Sequence, residues 1–224
     1  MSNVTTQQEN RSVAAAAKHC FNQLPTDQGL GRSPLAHVTP PNAQVTRMTE
    51  AGVRFKERGL LGHFVLRCDP HNAQKQVTIA QLLGCELPLR PLTSAHQDDR
   101  VVSWLGPDEW LITLSLDQTF TLEKTFHERM DGHWALVDVS GGLTVYRLSG
   151  PHVVDVLKKS VPVDLHARCF PVGKVVTTVF AKASATLRRV DEDCFDVIVR
   201  RSFADYLWLW IQDASREFGL AVEP

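Results

Sequence analysis

Residues 101–114 read VVSWLGPDEWLITL, and residues 186–199 read TLRRVDEDCFDVIV. Each is a strand-like run, an acidic turn and a second strand-like run: Val101–Leu105, 106–109 and Trp110–Leu114, then Thr186–Val190, 191–193 and Phe195–Val199. Alternating and β-branched residues around a turn of Gly, Pro, Asp and Glu are the signature of a hairpin. Two such hairpins in one chain prompt a search for a larger repeat.

The repeat extends on both sides. Ahead of the first hairpin come Val53–Glu57 and Gly62–Cys68, then Asp69, Pro70 and His71 opening a helical stretch that stops at Gly84. Ahead of the second come Trp134–Ser140 and Thr144–Leu148, then Gly150, Pro151 and His152 opening another. Asp69 and Gly150 suit helix N-caps, with Pro70 and Pro151 in the first turn, where a missing N–H costs nothing. Proline-bearing connections follow, at Pro88 and Pro91 and at Pro162 and Pro171. Each copy closes with a helix, Thr121–Met130 and Phe203–Phe218, the latter with Ser202 and Asp205 spaced as a capping box and Gly219 as its stop. The pattern predicts an α+β fold of duplicated ββαββα units, about 49–131 and 132–224, in one pseudo-symmetric body around a shared core.

Composition bounds the rest. The 224 residues suit one domain, expected over 33–224, with residues 1–32 read as a flexible, polar N-terminal extension holding a short helix around Val13–Phe21. A formal charge of −1 gives no electrostatic reason to expect nucleic acid or an anionic membrane as partner. The longest wholly apolar run, Tyr206–Ile211, falls far short of a membrane span. Five cysteines, with no CxxC spacing and one left over, point to a reduced, cytoplasmic chain. The first 20 residues lack the apolar core of a signal peptide.

Motifs for chemistry are scarce. The nine histidines show no HxH, HxxxH or HExxH spacing. Gly29 and Gly31 follow no strand and lack the third glycine of a dinucleotide loop, and Ser140, Gly141 and Gly142 are turn residues without a nucleophile elbow. Asp108 with Glu109, and Asp191, Glu192 and Asp193, lie in turns where carboxylates are solvated, whereas general acid catalysis needs a raised pKa and a pocket. Cys68 and Cys169 read as inert thiols. No catalytic, cofactor-binding or metal-binding residue is assigned.

The last helix holds a surplus. Phe203, Leu207, Trp210, Ile211, Ala214 and Phe218 form one stripe at helical spacing, which a single core explains. Tyr206, Trp208 and Leu209 fall outside it. They are candidates for a subunit interface, where Trp and Tyr are favoured; burial under the other half of the duplicated body is the alternative.

Four segments in order then carry a resemblance: Arg32–His37 (RSPLAH), Leu61–Arg67 (LGHFVLR) with Asp69 and Pro70, Trp104–Ile112 (WLGPDEWLI) and Arg200–Trp208 (RRSFADYLW). Together, from about Arg32 to the C-terminus, the chain resembles the gamma subunit of heterotetrameric sarcosine oxidase. The second copy is also similar to the folate-binding aminomethyltransferases of the glycine cleavage system, through Asp138–Ser140, Leu148–His152, Thr177 with Thr178, and Val190–Phe195. That family carries an acidic residue between its two later strands, where this chain has Ser184, Ala185 and Thr186. The resemblance therefore implies the fold without the transferase chemistry.

It further implies a non-catalytic, structural subunit in a bacterial cytoplasmic complex that oxidatively demethylates sarcosine to glycine, with hydrogen peroxide, the one-carbon unit passing to tetrahydrofolate or leaving as formaldehyde. Its partners would be the alpha, beta and delta subunits, and FAD, covalent FMN, NAD, zinc and tetrahydrofolate would sit in those chains. Two alternatives stay open: the corresponding subunit of a related N-methyl amino acid dehydrogenase, and a free-standing folate-binding protein.

Overall fold

The strands announced by alternation are all formed, and three more join them, one in each half and one at the end of the chain. In the computed structural model, which describes residues 31–37 and 51–223, the first half runs β1 (Val53–Arg58), β2 (Leu61–Cys68), α1 (Ala73–Leu83), β3 (Ser94–Gln97), β4 (Arg100–Gly106), β5 (Glu109–Ser115) and α2 (Thr119–Arg129). The second runs β6 (Trp134–Asp138), β7 (Leu143–Ser149), α3 (Val153–Lys158), β8 (Val175–Phe180), β9 (Ala183–Asp191), β10 (Cys194–Arg200) and α4 (Ala204–Ala214). A short β11 (Leu220–Val222) ends the chain. The α+β class and the duplication hold, but each unit is ββαβββα, one strand richer than predicted. The added strands, β3 and β8, lie in what the prolines suggested were plain connections. The expected extension over 1–32, with its helix, lies almost wholly outside the described residues.

Two sheets result. One has the order β3-β4-β5-β2-β6 and the other β8-β9-β10-β7-β1-β11. Laid side by side, the orders match strand for strand once β1 and β6 change places. The first strand of each half has crossed over: β6 pairs antiparallel with β2 (Leu66 opposite Leu136), and β1 with β7 (Phe55 opposite Leu148). A sequence repeat has become a pseudo-twofold arrangement with exchanged strands.

Packing follows the pleat. On β2, Phe64, Leu66 and Cys68 point to one face, where they meet Trp110, Ile112 and Leu114 of β5 and Ile79, Leu83, Leu122 and Phe126 of α1 and α2. On the other sheet Val53, Phe55, Tyr146, Leu148 and Val197 meet α3 and α4 through Val156, Leu157, Leu207 and Ile211. A third, smaller cluster of Leu111, Val145 and Ile198 lies where the helix-free faces of the two sheets meet. The single shared core of the sequence reading is thus corrected to two helix-side cores with a minor one between. Two stacked layers per sheet bury apolar surface on one face, and the remaining faces are bridged by only a few side chains.

The helix starts also shift. The α1 N-cap is Asn72, whose side chain accepts from Lys75 N at 3.0 Å, while Asp69 closes a turn by accepting from His71 N at 2.9 Å. His152 occupies the N-cap position of α3, and Gly150 sits two residues earlier at φ 116°. At α4 no side chain caps the N-terminus; Asp205 pairs with His37 Nε2 at 3.0 Å instead. Among the described residues no helix is long and apolar enough to cross a membrane.

Candidate subunit interface

Helix α4 begins one residue after Phe203, because β10 runs to Arg200 and a tight turn over Arg201–Phe203 intervenes. That start fixes which side of the helix is buried. Ala204, Leu207, Trp208, Ile211 and Ala214 face the core, at spacings of three and four. Phe203, Tyr206, Leu209 and Trp210 are exposed.

Of the three residues singled out from sequence, the structure leaves two on the surface. Leu209 is 63% exposed and Tyr206 lies at the border of exposure. Trp208 is corrected: it is 4% exposed, its ring 4.7 Å from that of Phe55 on β1, so the chain's own core occupies it. The residues 207–210 (LWLW) offer two apolar stripes half a turn apart. Beginning the helix at Phe203 selects the wrong one; small Ala204 and Ala214, in register with Trp208 and Ile211, are the signal for the right one. Trp210 and Phe203, expected inside, take the place of Trp208 on the outer face.

That face has some order of its own. Tyr206 and Trp210 stand 6.5 Å apart between ring centroids, and Trp210 Nε1 donates to Ser160 Oγ at 3.0 Å. Ser160 in turn donates to Val156 O, so the indole is fixed against the end of α3 with part of its surface outward. An indole held by its N–H with its ring half open is typical of a rigid contact residue. The group can bury apolar surface against another protein with little ordering cost.

Among the described residues, the groups weighed for chemistry stay apart from one another. Asp108 lies exposed in the β4–β5 turn and Glu109, half-buried, begins β5, both within 4.0 Å of Arg67. In the matching turn, Asp191 accepts from Glu192 N at 2.8 Å, and the Glu192 carbonyl oxygen takes hydrogen bonds from Arg189. Burial pushes the Cys68 thiol up to about 11, and Asp164 holds the Cys169 thiol above its ordinary value by hydrogen bonding, so neither is a ready thiolate. Among the described residues no three His, Cys, Asp or Glu side chains are grouped to hold a metal.

A cleft of about 470 Å³ opens between the sheets, lined by Val65, Leu111, Leu143, Thr186 and Ile198 among others. Ser184, Ala185 and Thr186 lie on its wall, at the place where the transferase resemblance would put an acid. Asp138 also lines it, with Oδ1 accepting from Ser140 N at 2.8 Å and from Ser140 Oγ at 2.5 Å. Asp138 is the one carboxylate lining this cleft among the described residues.

Comparison with known proteins places this geometry. The profile of the sarcosine oxidase gamma subunit family matches residues 67–217. The sarcosine oxidase subunit gamma of Corynebacterium sp. (strain U-96) is 31% identical over 194 residues, covering 86% of this chain and 93% of that one. Its counterpart from Arthrobacter sp is 31% identical over 200 residues, 88% and 96% of the two chains. Among solved structures, the heterotetrameric sarcosine oxidase from Corynebacterium sp. U-96, in complex with pyrrole 2-carboxylate, contains a chain that superposes with a TM-score of 0.75. It has 30% identity and covers 85% of this chain and 97% of that one. The glycine cleavage system aminomethyltransferase T from Bartonella henselae superposes at 0.57 with 12% identity, over 78% of this chain and 48% of that one, a likeness of fold alone.

Proposed function

This chain belongs to the sarcosine oxidase gamma subunit family, and from that premise we propose that it is a structural subunit of a heterotetrameric sarcosine oxidase. In this reading it acts within the enzyme while carrying no reaction itself. Its partners are the alpha, beta and delta subunits. The flavins, NAD, zinc and tetrahydrofolate belong to those chains, and the complex works in the cytoplasm.

The observation that carries the reading, beyond family, is the outer face of α4. Four apolar side chains stand exposed on one helix and its leading turn, Phe203, Tyr206, Leu209 and Trp210. Apolar clusters of this kind on a soluble protein mark contact sites. Tyr and Trp among them favour a protein partner, since they bury large area with few rotatable bonds.

Co-expression with the three partner subunits tests it. Replacing both Tyr206 and Leu209 with Ala should weaken assembly by roughly 2 kcal/mol or more for a central aromatic anchor. The isolated chain should melt within a few degrees of the parent, since exposed side chains contribute within about 0.5 kcal/mol to folding. Trp208→Ala should do the reverse in the isolated chain, costing about 3–5 kcal/mol through the cavity left against Phe55. Unimpaired assembly of the Tyr206/Leu209 double variant would remove this helix from the interface.

A further inference from the structure

The helix-free face of the six-stranded sheet is unusually basic for a chain whose formal charge is −1. On β1 the alternation that sends Val53 and Phe55 into the core places Arg54, Lys56 and Arg58 on the opposite face. Arg147 lies across from Lys56 in the register, and beyond it Asp196 across from Arg147. Asp196, buried, is the carboxylate at the centre: Arg147 Nε reaches it at 2.8 Å, Arg188 Nη1 at 3.5 Å and Arg58 Nη1 at 3.7 Å. One acid thus answers three guanidinium groups, and Glu223, which follows Val222 alongside Phe55 and so comes beside Lys56, adds a second negative charge near Arg147.

Arg54 and Lys56 are outside even that network. Both are half-buried, and neither has an ion pair or a side-chain hydrogen bond among the described residues. The opposite sheet reaches this face at Val145 and Ile198, at the Arg58 end of the strip, so the Arg54 end is not closed by that contact. Charges held this near one another without matching acids repel, and an anionic counterpart relieves them.

The occupant can be narrowed by charge. Residues 1–50 of this chain bring Glu9, Asp27 and Glu50 against Arg11, Lys18, Arg32 and Arg47, which is no acidic segment. A second copy meeting the strip symmetrically would set cation against cation. We propose that the Arg54–Arg58 strip, flanked by Arg147, is a second docking surface in the assembly, taking an acidic segment of a partner subunit whose carboxylates pair with Arg54 and Lys56. This rests on the assembly reading above and adds to it a chemically distinct contact: apolar at α4, ionic here.

Zero-length carbodiimide cross-linking of the purified complex, followed by peptide mapping, reads the contact directly, because it joins a lysine amine only to a carboxylate in touch with it. Lys56 should be recovered in amide linkage to an Asp or Glu of a partner subunit. In parallel, Arg54→Glu with Lys56→Glu should weaken association of the full chain with its partners about tenfold or more at low salt, the deficit shrinking as ionic strength rises. The Tyr206/Leu209 double variant should show a deficit that salt does not relieve. Linkage of Lys56 to Glu9, Asp27 or Glu50 of its own chain would overturn the proposal, as would a charge-reversed variant that assembles like the parent. Those results would leave membership of the complex intact; failure of the unaltered chain to co-purify with the partners would overturn both.

Discussion

His63 is the residue whose environment most clearly exceeds what its sequence context announced. It sits on β2 at 1% exposure, opposite Thr113 on β5, and neither ring nitrogen has a side-chain hydrogen-bond partner among the described residues. Burial is the largest influence and lowers its pKa to about 4; the Leu61 backbone and Asp138 pull the other way, and Arg58 adds to the lowering. The folded protein therefore holds a neutral imidazole where the unfolded chain binds a proton below about pH 6.5. The resulting stability is fully present above about pH 6.5 and drains away as the pH falls toward about 4. A shift of this size corresponds to about 3 kcal/mol at the acid end. Urea unfolding of the parent and of His63→Leu between pH 7 and pH 4 should show the parent losing about that much more. Parallel pH profiles would mean that His63 gains a partner on protonation. Nothing in the spacing of the nine histidines marks this one, because its burial depends on strand β5 and on residues 138–140, which are distant in sequence.

At the scale of elements, the alternation of β2, β5, β7 and β10 was legible because each strand buries one face, and the pattern of period two is local. So was the apolar surplus of α4, although assigning it to the right side required the exact start of the helix. Trp208 and Trp210 differ by two positions, about half a turn, and a shift of the burial stripe by one residue exchanges them. What stayed illegible was non-local. Strand β3 (SAHQ) has no large apolar residue and exists because β4 pairs with it, while β8 (VVTTVF) carries β-branched strand character that the nearby prolines obscured. Gly150 shows the same lesson in backbone form. It reads as an N-cap, yet its φ of 116° and its position against β1 give it a different task. A Cβ there would lie 2.6 Å from Gly52 O, which itself accepts from His152 N at 3.0 Å, so the two glycines let the start of α3 close on the start of β1. Gly150→Ala meets both a disfavoured backbone and a main-chain collision. It should destabilise the chain by about 2 kcal/mol or more, read as a lowered melting temperature. An unchanged melting temperature would show that the β1–α3 junction yields.

Over the whole molecule, the exchanged strands decide how the protein comes apart. Each half owns a sheet and a helix-side core, which taken alone suggests two folding units. Yet the first half's β1 lies between β7 and β11 in the second sheet, and the second half's β6 closes the edge of the first against β2. Unfolding one half would strip Val53 and Phe55 from the other half's core, and would leave β7 with an unpaired edge where it now faces five residues of β1. Burying two such side chains is worth about 1.5–3 kcal/mol each, and an unsatisfied backbone ladder adds to the loss. Against a total stability of about 5–15 kcal/mol for a domain, that coupling is large enough to make partial unfolding rare. The isolated chain should therefore melt in one calorimetric transition, with calorimetric and van't Hoff enthalpies in agreement. Residues 51–131 and 132–224, expressed separately, should each fail to give a cooperative transition, because each has surrendered a strand that the other needs. When mixed, they should regain one, since the exchanged strands then find their sheets. Two resolved transitions in the intact chain, or a half that melts cooperatively by itself, would show that the helix-side cores outweigh the exchange.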